Sequence, residues 1–381
     1  MFRDSLRKLA FAASAAAVLA TVPALAQEKT IVIMQAQTGV GAFAGAGAAK
    51  GAKFAADELI AKGFFEPLKV KVVVEDDGSD RNQAVSLFNR YGRDPNTLVI
   101  MGPTIGPTAV AAGAVANELK IPFVPLSNAT DILKTGPYAF IGSQPPPVTM
   151  PVLANYVKNV AKATSCVLAY HPDNQAYVEL RNLIRANVEP MGIKIVDEAA
   201  IKQGDTDFSA ISTRFVAAKP DCVLYITNTP IGAGLAVQLQ QAGLPRTVKQ
   251  IGQTGLSNPD LVKIGGAAVE GLVFISDWPP GGGTNPMGKA LAENYKKANG
   301  VEVDNWIAMG YSFFQVVAHA VKAAGPNPTR EGIMQALAKT KDVPIVLGDG
   351  KYSYDENRLP HHGGIFLEVK NGQFVLASQQ K

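Results

Sequence analysis

The chain contains few of the side chains that most often build metal and catalytic sites. Its 381 residues include two cysteines and four histidines, His171, His319, His361 and His362. No His-Glu-x-x-His, Cys-x-x-Cys or nucleophile-elbow motif occurs, so we expect no metal, no cofactor and no enzymatic activity. His171 follows a predicted strand and is a candidate to bond a ligand oxygen, whereas His361 and His362 are predicted to lie in a loop.

Charged residues are also scarce. They make up 18% of the chain, and the net charge is +4. Removing the first 26 residues would leave about +2. The lysines and arginines are scattered and form no basic stripe, which argues against nucleic acid as a partner.

A single long apolar run is present, and it lies at the N-terminus. Arg3, Arg7 and Lys8 precede the apolar residues 9–19, and the small-residue segment 24–26 follows them. This order is typical of a secretory signal, and the run is shorter than the roughly 20 residues that a bilayer-spanning helix needs. We expect residues 1–26 to be a cleaved signal peptide and the mature, soluble chain to begin at Gln27.

The two cysteines begin similar apolar segments. Cys166 opens the run 166–170 and Cys222 opens the run 222–226, so the two would be close if these runs were neighbouring strands. An exported chain reaches an oxidising compartment in which a pair can be bridged. The residues leave two alternatives open, a disulfide or two buried thiols.

Strand and helix signals alternate along the chain. The predicted strands are 30–35, 70–75, 97–101, 122–125, 166–170, 193–198 and 222–227. Between and after them, helical spacing of apolar residues marks 51–62, 84–91, 148–161, 176–189, 233–242, 287–299 and 306–324. This alternation predicts an α/β fold with parallel sheets covered by helices.

The strand–helix pattern runs twice, which predicts two similar lobes. A proline-rich segment, 142–147, separates the two series and is expected to resist both helix and central strand. A second break lies at 277–283. We predict lobe 1 from residues 27–143 and 278–355, and lobe 2 from residues 144–277 and 356–381, joined by several crossings that act as a hinge.

The segment 37–47 is rich in glycine and follows the first predicted strand. It predicts a loop that opens a helix and lets backbone N–H groups approach a ligand, with a tight turn lacking any ligand as the alternative. A dinucleotide site is disfavoured, because the third glycine of that fingerprint is missing. The acidic run 75–77 also lies about 30 residues after the glycine-rich segment, whereas the fingerprint places its acidic residue about 20 residues after the glycines.

Two further loops follow predicted strands. Residues 102–108 precede a helix with Pro107 in its first turn, and such a helix start offers free N–H donors to an anion. Residues 125–131 are rich in small hydrogen-bonding side chains. Because ligands gather where parallel strands end, we expect both loops to face one crevice, although each alone is equally typical of helix capping.

Several motifs together resemble the branched-chain amino acid binding proteins of ABC transporters. They are Thr38-Gly39 before a helix with Gly51-Ala52, Gly102-Pro103 after a strand, Ile121-Pro122 leading to Ser127-Asn128-Ala129-Thr130, and Tyr170-x-x-x-Asn174-x-x-Tyr177. The resemblance covers nearly the whole mature chain. It implies a type I periplasmic binding fold, in which two Rossmann-like lobes with parallel central sheets meet at a three-crossover hinge. It also implies a periplasmic, monomeric receptor with a small-molecule ligand and a membrane permease as partners.

The family's ligand contacts carry over onto three regions of this sequence. Its carboxylate clamp falls on Gly106, Pro107 and Thr108 and on the loop of Asn128, Ala129 and Thr130. The family usually has serine or threonine where this chain has Gly106-Pro107. Aromatic contacts fall near Phe43 and on Tyr177, for which core packing is the alternative, and a second-lobe contact falls near Asn228.

One position departs from the family pattern. Thr254 stands where amino acid binders commonly place an acidic residue against the ligand ammonium. An unpaired buried ammonium costs several kcal/mol, so the resemblance favours a carboxylate with a neutral tail, either an aromatic or a branched aliphatic acid. Alternatives are a branched-chain amino acid or amide held another way, with Asp131 or Asp277 supplying charge, and, less favoured, an α/β enzyme or a sensor module.

Overall fold

A computed structural model describes residues 28–173, 175–283 and 285–377. The predicted signal peptide and the start at Gln27 lie outside these residues. The first sheet is parallel throughout and has the strand order β2-β1-β3-β4. Its strands are β1 (Lys29–Gln35), β2 (Val70–Asp76), β3 (Thr97–Met101) and β4 (Phe123–Val124).

The second sheet has the order β14-β13-β9-β8-β7-β5-β6, and only β13 and β14 run antiparallel to their neighbours. A small antiparallel sheet is formed by β10, β11 and β12. In chain order the strands are β5 (Ser165–Tyr170), β6 (Lys194–Ala200), β7 (Cys222–Ile226), β8 (Lys249–Gly252), β9 (Val273–Ser276), β10 (Val343–Pro344), β11 (Lys351–Tyr354), β12 (Pro360–His361), β13 (Ile365–Lys370) and β14 (Gln373–Leu376).

Helices connect the strands and cover the sheets, so the prediction of an α/β fold with two parallel sheets is confirmed. The α-helices are α1 (Ala42–Ala61), α2 (Arg81–Arg93), α3 (Gly106–Glu118), α4 (Pro146–Asn155), α5 (Gln175–Val188), α6 (Ser209–Ala217), α7 (Thr229–Gln241), α8 (Asp260–Gly265), α9 (Pro286–Asn299), α10 (Asn305–Ala323) and α11 (Arg330–Ala338). Within the described ranges, none of the helices has the length and apolar character needed to cross a membrane.

The chain passes between the two sheets three times. It leaves the first sheet after β4, returns after β9, and leaves again between β12 and β13. Side chains from α9, α10 and β11, including Tyr295, Phe313 and Tyr352, share one apolar core with Ile31 and Met101 of the first sheet. The residue limits of the two lobes, 27–143 with 278–355 and 144–277 with 356–381, stay a prediction.

The glycine-rich segment is helical from Ala42 onward, so the prediction of a loop through residue 47 is wrong. Gly47 at the end of this segment and Gly51 beyond it allow α1 to touch α10. A Cβ on Gly51 would lie 1.9 Å from the Ile307 carbonyl oxygen, and one on Gly310 would lie 2.0 Å from that of Ala48. At Gly51 and Gly310, glycine is therefore required for contact between two helix backbones.

The proline-rich segment also departs from its prediction. Helix α4 begins at Pro146, with Pro145 as its N-cap residue, so Pro146 and Pro147 occupy its first turn. The N–H groups of the first turn have no partner within a helix, and proline loses nothing by lacking one there. The expectation that all of 142–147 resists helix is wrong for these two residues.

The two cysteines form a disulfide, which resolves the alternative left open by the sequence. Cys166 and Cys222 are directly opposite each other in the neighbouring parallel strands β5 and β7, and both are buried. The bond joins positions 56 apart in sequence and links the first and third strands that the chain contributes to the second sheet.

Candidate functional site

The carboxyl ends of the parallel strands in the first sheet lie on one side, here called the edge of that sheet, and hydrogen bonds connect the loops that follow them. Asp76 at the end of β2 accepts hydrogen bonds from the Gln37 and Gly78 amides, both at 2.8 Å, and from the Thr38 hydroxyl at 2.7 Å. Burial opposes ionisation of Asp76, but these hydrogen bonds outweigh it and lower the pKa. Asp76 is thus an anchor for the turn between β1 and α1.

Helix α3 starts at this edge with Gly106, Pro107 and Thr108. No side chain caps its N-terminus, so its first amides have no side-chain acceptor. Thr108 is buried and Pro107 is exposed. A Cβ on Gly106 would lie 3.0 Å from the Cβ of Ala129, which places the two predicted clamp loops side by side as expected.

The second loop, after β4, is shaped by a residue that the sequence reasoning did not single out as a contact. The Ser127 hydroxyl accepts a hydrogen bond from the Ala129 amide at 3.1 Å. Asn128, Ala129 and Thr130 are half-buried, and Thr130 begins a short 3₁₀ turn, Thr130–Thr135. A serine three residues before the turn is the local signal that could have identified this role.

His171 organises the facing edge of the second sheet. Its Nδ1 lies 3.0 Å from the Ile201 carbonyl oxygen, and its Nε2 accepts a hydrogen bond from the Asn228 amide at 3.2 Å. Because a carbonyl can only accept, Nδ1 carries the proton. Both nitrogens are occupied by the backbone, so His171 has none left for the ligand oxygen that the sequence suggested.

Tyr177 packs edge-on against the His171 ring, with ring centroids 4.8 Å apart. Burial raises the pKa of Tyr177 to about 12, and a hydrogen bond with the Gln253 side chain acts in the opposite direction. Gln253 in turn bonds the Thr227 carbonyl oxygen at 2.9 Å and the Gly255 amide at 2.8 Å. The Tyr177 ring and hydroxyl are therefore held by the residues that follow β5 and β8, the two strands on either side of β7.

Asn228 and Thr254 lie at the same edge. The Asn228 side chain caps α7 by accepting a hydrogen bond from the Ile231 amide at 3.3 Å. Thr254 is half-buried and begins the 3₁₀ turn Thr254–Leu256 next to Gln253. The structure thus brings Tyr177, Asn228 and Thr254 together, while Asn174 of the same motif lies outside the described residues.

The two edges face each other across the gap. Burial raises the pKa of Glu179 on α5, and the negative charge of Asp131 adds to this effect. Asp131 follows Thr130 and Glu179 lies two residues beyond Tyr177, so the loop after β4 approaches α5. Asp131 is also paired with Lys134 at 2.6 Å, so part of its charge is already compensated.

Phe43 is the predicted contact that stands apart from the others. It lies in the first turn of α1, and 66% of its surface is exposed. Its ring packs edge-to-face against Trp306, with ring centroids 5.6 Å apart. Among residues 28–173, 175–283 and 285–377, no three His, Cys, Asp or Glu side chains come close enough to hold a metal ion.

The chain is similar to known binding proteins over most of its length. A family model described as periplasmic binding protein matches residues 28–373. A Leu/Ile/Val-binding protein of Rhizobium johnstonii is 29% identical over 347 residues, which cover 90% of this chain and 92% of that protein. The crystal structure of a leucine-binding protein from Thermotoga maritima has a TM-score of 0.79 and 25% identity, and the match covers 92% of this chain and 98% of that one.

A solute-binding protein of an ABC transporter from Rhodopseudomonas palustris, solved in complex with benzoate, has a TM-score of 0.75. At 18% identity, with 91% of this chain and 95% of that one covered, this likeness concerns the fold alone. The family model covers nearly all the described residues, and the solved structures share the two-sheet architecture. The chain therefore belongs to the periplasmic binding protein family.

Proposed function

We propose that this chain is exported to the periplasm and binds a small carboxylate without an α-ammonium group between its two lobes. It then presents the ligand to the membrane permease of an ABC importer. The protein acts as a monomeric receptor and returns its ligand unchanged, so it is not an enzyme. Thr254 is the observation that carries the choice of ligand class.

The first-sheet edge suits the carboxylate end of such a ligand. The uncapped N-terminus of α3 offers amide donors, and Thr108 adds a hydroxyl in the first turn of that helix. A helix N-terminus also carries partial positive charge, worth about 0.3–1 kcal/mol to an anion near it. The adjoining loop of Asn128, Ala129 and Thr130 supplies further amide and hydroxyl groups within the same recess.

The second-sheet edge suits a neutral tail. Tyr177 contributes a half-buried ring, and Thr254 contributes a hydroxyl where a charged partner for an ammonium would be needed. Enclosing an ammonium without such a partner leaves an uncompensated charge, at a cost of about 3–5 kcal/mol. An aromatic or branched aliphatic acid avoids this cost, and benzoate is held by a protein of the same fold.

A branched-chain amino acid or its amide is the second candidate, because the relatives at 29% and 25% identity are named for leucine, isoleucine or valine. Glu179 offers it an ammonium partner other than residue 254. This carboxyl is partly buried beside the gap, at the approach of the two lobes. In this alternative Glu179 is ionised in the complex, and its replacement by glutamine abolishes amino acid binding.

Binding is coupled to lobe closure in this proposal. Contacts made by one ligand to both edges exist only when the lobes are together, so the ligand shifts the population toward the closed form. The three passages between the sheets constrain this motion to a hinge. The permease distinguishes the closed, loaded form from the open one.

Thermal and calorimetric titration of the ligand-free mature chain tests the proposal. The probes are benzoate, 4-methylpentanoate and leucine, and the variants are Thr254→Glu and the uncharged control Thr254→Val. A bound acid at about 100 times its dissociation constant stabilises the fold by roughly 2.7 kcal/mol. We expect this with benzoate or 4-methylpentanoate, no response to leucine, weaker acid binding in Thr254→Glu, and near-normal acid binding in Thr254→Val.

Each contrary outcome has a defined meaning. Stabilisation of the wild-type chain by leucine, lost in Glu179→Gln, replaces the carboxylate proposal with the amino acid receptor. An unchanged acid affinity in Thr254→Glu removes residue 254 from the site. If none of the three probes binds, the proposed carboxylate class is refuted.

A further inference from the structure

The three passages between the lobes converge on a buried polar cluster. Gln144 lies on the first passage, Asp277 on the second and His362 on the third, and all three are buried. The Gln144 side chain donates to the Gly363 carbonyl oxygen at 2.8 Å and accepts from the His362 amide at 3.1 Å. The side-chain amide of Gln144 thus joins the first and third passages through two hydrogen bonds, one as donor and one as acceptor.

Asp277 and His362 join the second and third passages. The Asp277 Oδ1 atom lies 3.9 Å from Nδ1 of His362, which is too long for a direct hydrogen bond. Neither imidazole nitrogen has a hydrogen-bond partner of ordinary geometry among the described residues, and the same holds for the adjacent Ser276 hydroxyl. A fully buried imidazole in this condition is costly and calls for an explanation.

Tyr352 completes the cluster and links it back to the first passage. Its ring lies nearly parallel to that of His362, with centroids 5.8 Å apart. Its hydroxyl donates to the Gly142 carbonyl oxygen at 2.8 Å. A change in the angle between the lobes should therefore move both Gln144 and Tyr352 relative to His362.

We propose that Asp277 and His362 form a proton-sensitive lock that positions the two lobes. The lobe arrangement described here holds while Asp277 carries its proton beside the neutral imidazole. Loss of that proton releases the arrangement toward one in which the carboxylate is hydrated. The lock adds a regulatory element to the proposed function, and it depends only on lobe motion, not on the class of ligand.

Burial determines the protonation of Asp277 and His362. Desolvation raises the pKa of Asp277 to about 7 and lowers that of His362 to about 4. A carboxyl with a raised pKa favours the dry arrangement at low pH, and this contribution disappears as the pH rises through about 7. His362 stays neutral across this range, so Asp277 sets the transition.

Other titratable groups surround the pair. His361 is exposed, pairs with Asp355 at 3.2 Å, and its charge disfavours protonation of His362. Asp349 is exposed, and its amide donates to the His362 carbonyl oxygen at 3.1 Å. The phenol of Tyr352 is fully buried, which raises its pKa and keeps it neutral. Asp277 is thus the buried carboxyl of the cluster, and the half-buried Asp355 provides a control outside it.

The test uses the ligand-free mature chain, so it does not depend on the proposed ligand class. Small-angle scattering gives the radius of gyration from about pH 5.5 to about pH 8.5, which brackets a midpoint near 7. We expect the wild-type radius to be constant at the acidic end and to change with a midpoint near 7. Asp277→Asn should keep the acidic wild-type radius throughout, whereas Asp355→Asn should follow the wild type.

A second measurement guards against misfolding of the variant. Carboxyl ¹³C NMR of the wild-type chain labelled at aspartate should show one resonance titrating near pH 7 instead of near the ordinary aspartate value of about 3.9. The proposal is overturned if no aspartate titrates above about pH 6. It is equally overturned if the radius is independent of pH, or if Asp277→Asn keeps the wild-type pH dependence.

Discussion

Loss of the disulfide between Cys166 and Cys222 should destabilise the protein by an amount that can be calculated from the separation of the two residues in sequence. We expect Cys166→Ala, Cys222→Ala and the double variant to lose nearly the same stability, because each abolishes the same bond. The two residues are buried and opposite each other in β5 and β7, and the pairing of these strands continues to Tyr170 and Ile226, so the bond is not their only connection. The loss therefore arises mainly in the unfolded chain, which is freed from a closed loop.

The magnitude comes from the loop length. The bonded positions are 56 apart, and closing a loop of this length removes about 14 cal/mol/K of entropy from the unfolded chain. At 25 °C this corresponds to about 4 kcal/mol. The coupling energy in a double-mutant cycle should be of the same size, since two independent side chains would instead lose stability additively.

Urea unfolding followed by circular dichroism measures these losses. The midpoint concentration should fall equally in both single variants and in the double variant. The slope should rise slightly, because an unlinked unfolded chain exposes more surface. Additive losses in the double variant, or a loss below about 1 kcal/mol in all three, would refute the loop argument.

Two further predictions concern packing and capping. Gly310→Ala should destabilise the fold by about 1–3 kcal/mol or more in thermal unfolding, because its Cβ would meet the Ala48 carbonyl oxygen at 2.0 Å. The control Gly332→Ala, whose nearest neighbour lies at 3.2 Å, should change stability by less than about 1 kcal/mol. Asn228→Ala should lower the stability by about 1 kcal/mol, because it removes the N-cap of α7, whereas Asn228→Asp should keep most of the wild-type stability. Equal losses in the two variants would contradict the capping role of Asn228.

Local signals in the sequence predicted β1 to β7 and their alternation with helices, but neither the strands from β8 onward nor the use of glycine in α1. Glycine favours a turn and also permits close contact between helices, and the residues around Gly51 satisfy both descriptions. The partner that decides between them, Ile307 on α10, is far away in the sequence. The same limit applies to Pro146, because proline both breaks a helix and suits its first turn.

The candidate site, too, was predicted only in part. The rule that ligands gather at strand ends placed Gly106 and Ala129 side by side, and the structure agrees. The hydrogen bonds that fix His171 could not be predicted, because they involve the backbone of Ile201 and Asn228, which follow two other strands, β6 and β7. Without them, a histidine at a strand end resembles a ligand contact when it is in fact a support for Tyr177.

The same non-local limit hid the cluster at the passages. Asp277 was considered in the sequence as a source of charge for a ligand, and His362 was assigned to a loop. The loop prediction is wrong for His361, which lies in β12; His362 follows that strand in a loop, as predicted, but is buried against Tyr352. Only the crossing of three distant segments brings the carboxyl and the imidazole together, and burial then determines which of them carries the proton.

Proton binding at the passages and ligand binding at the strand ends act on one equilibrium between lobe arrangements, so they must be linked reciprocally. If the arrangement described here is the ligand-binding one, benzoate at saturation should move the Asp277 titration midpoint upward from about 7. Its affinity should then fall as the pH rises through that value. A downward shift would assign the described arrangement to the open form. An unchanged midpoint with bound ligand would contradict the coupling, because a ligand that does not distinguish two states cannot shift them.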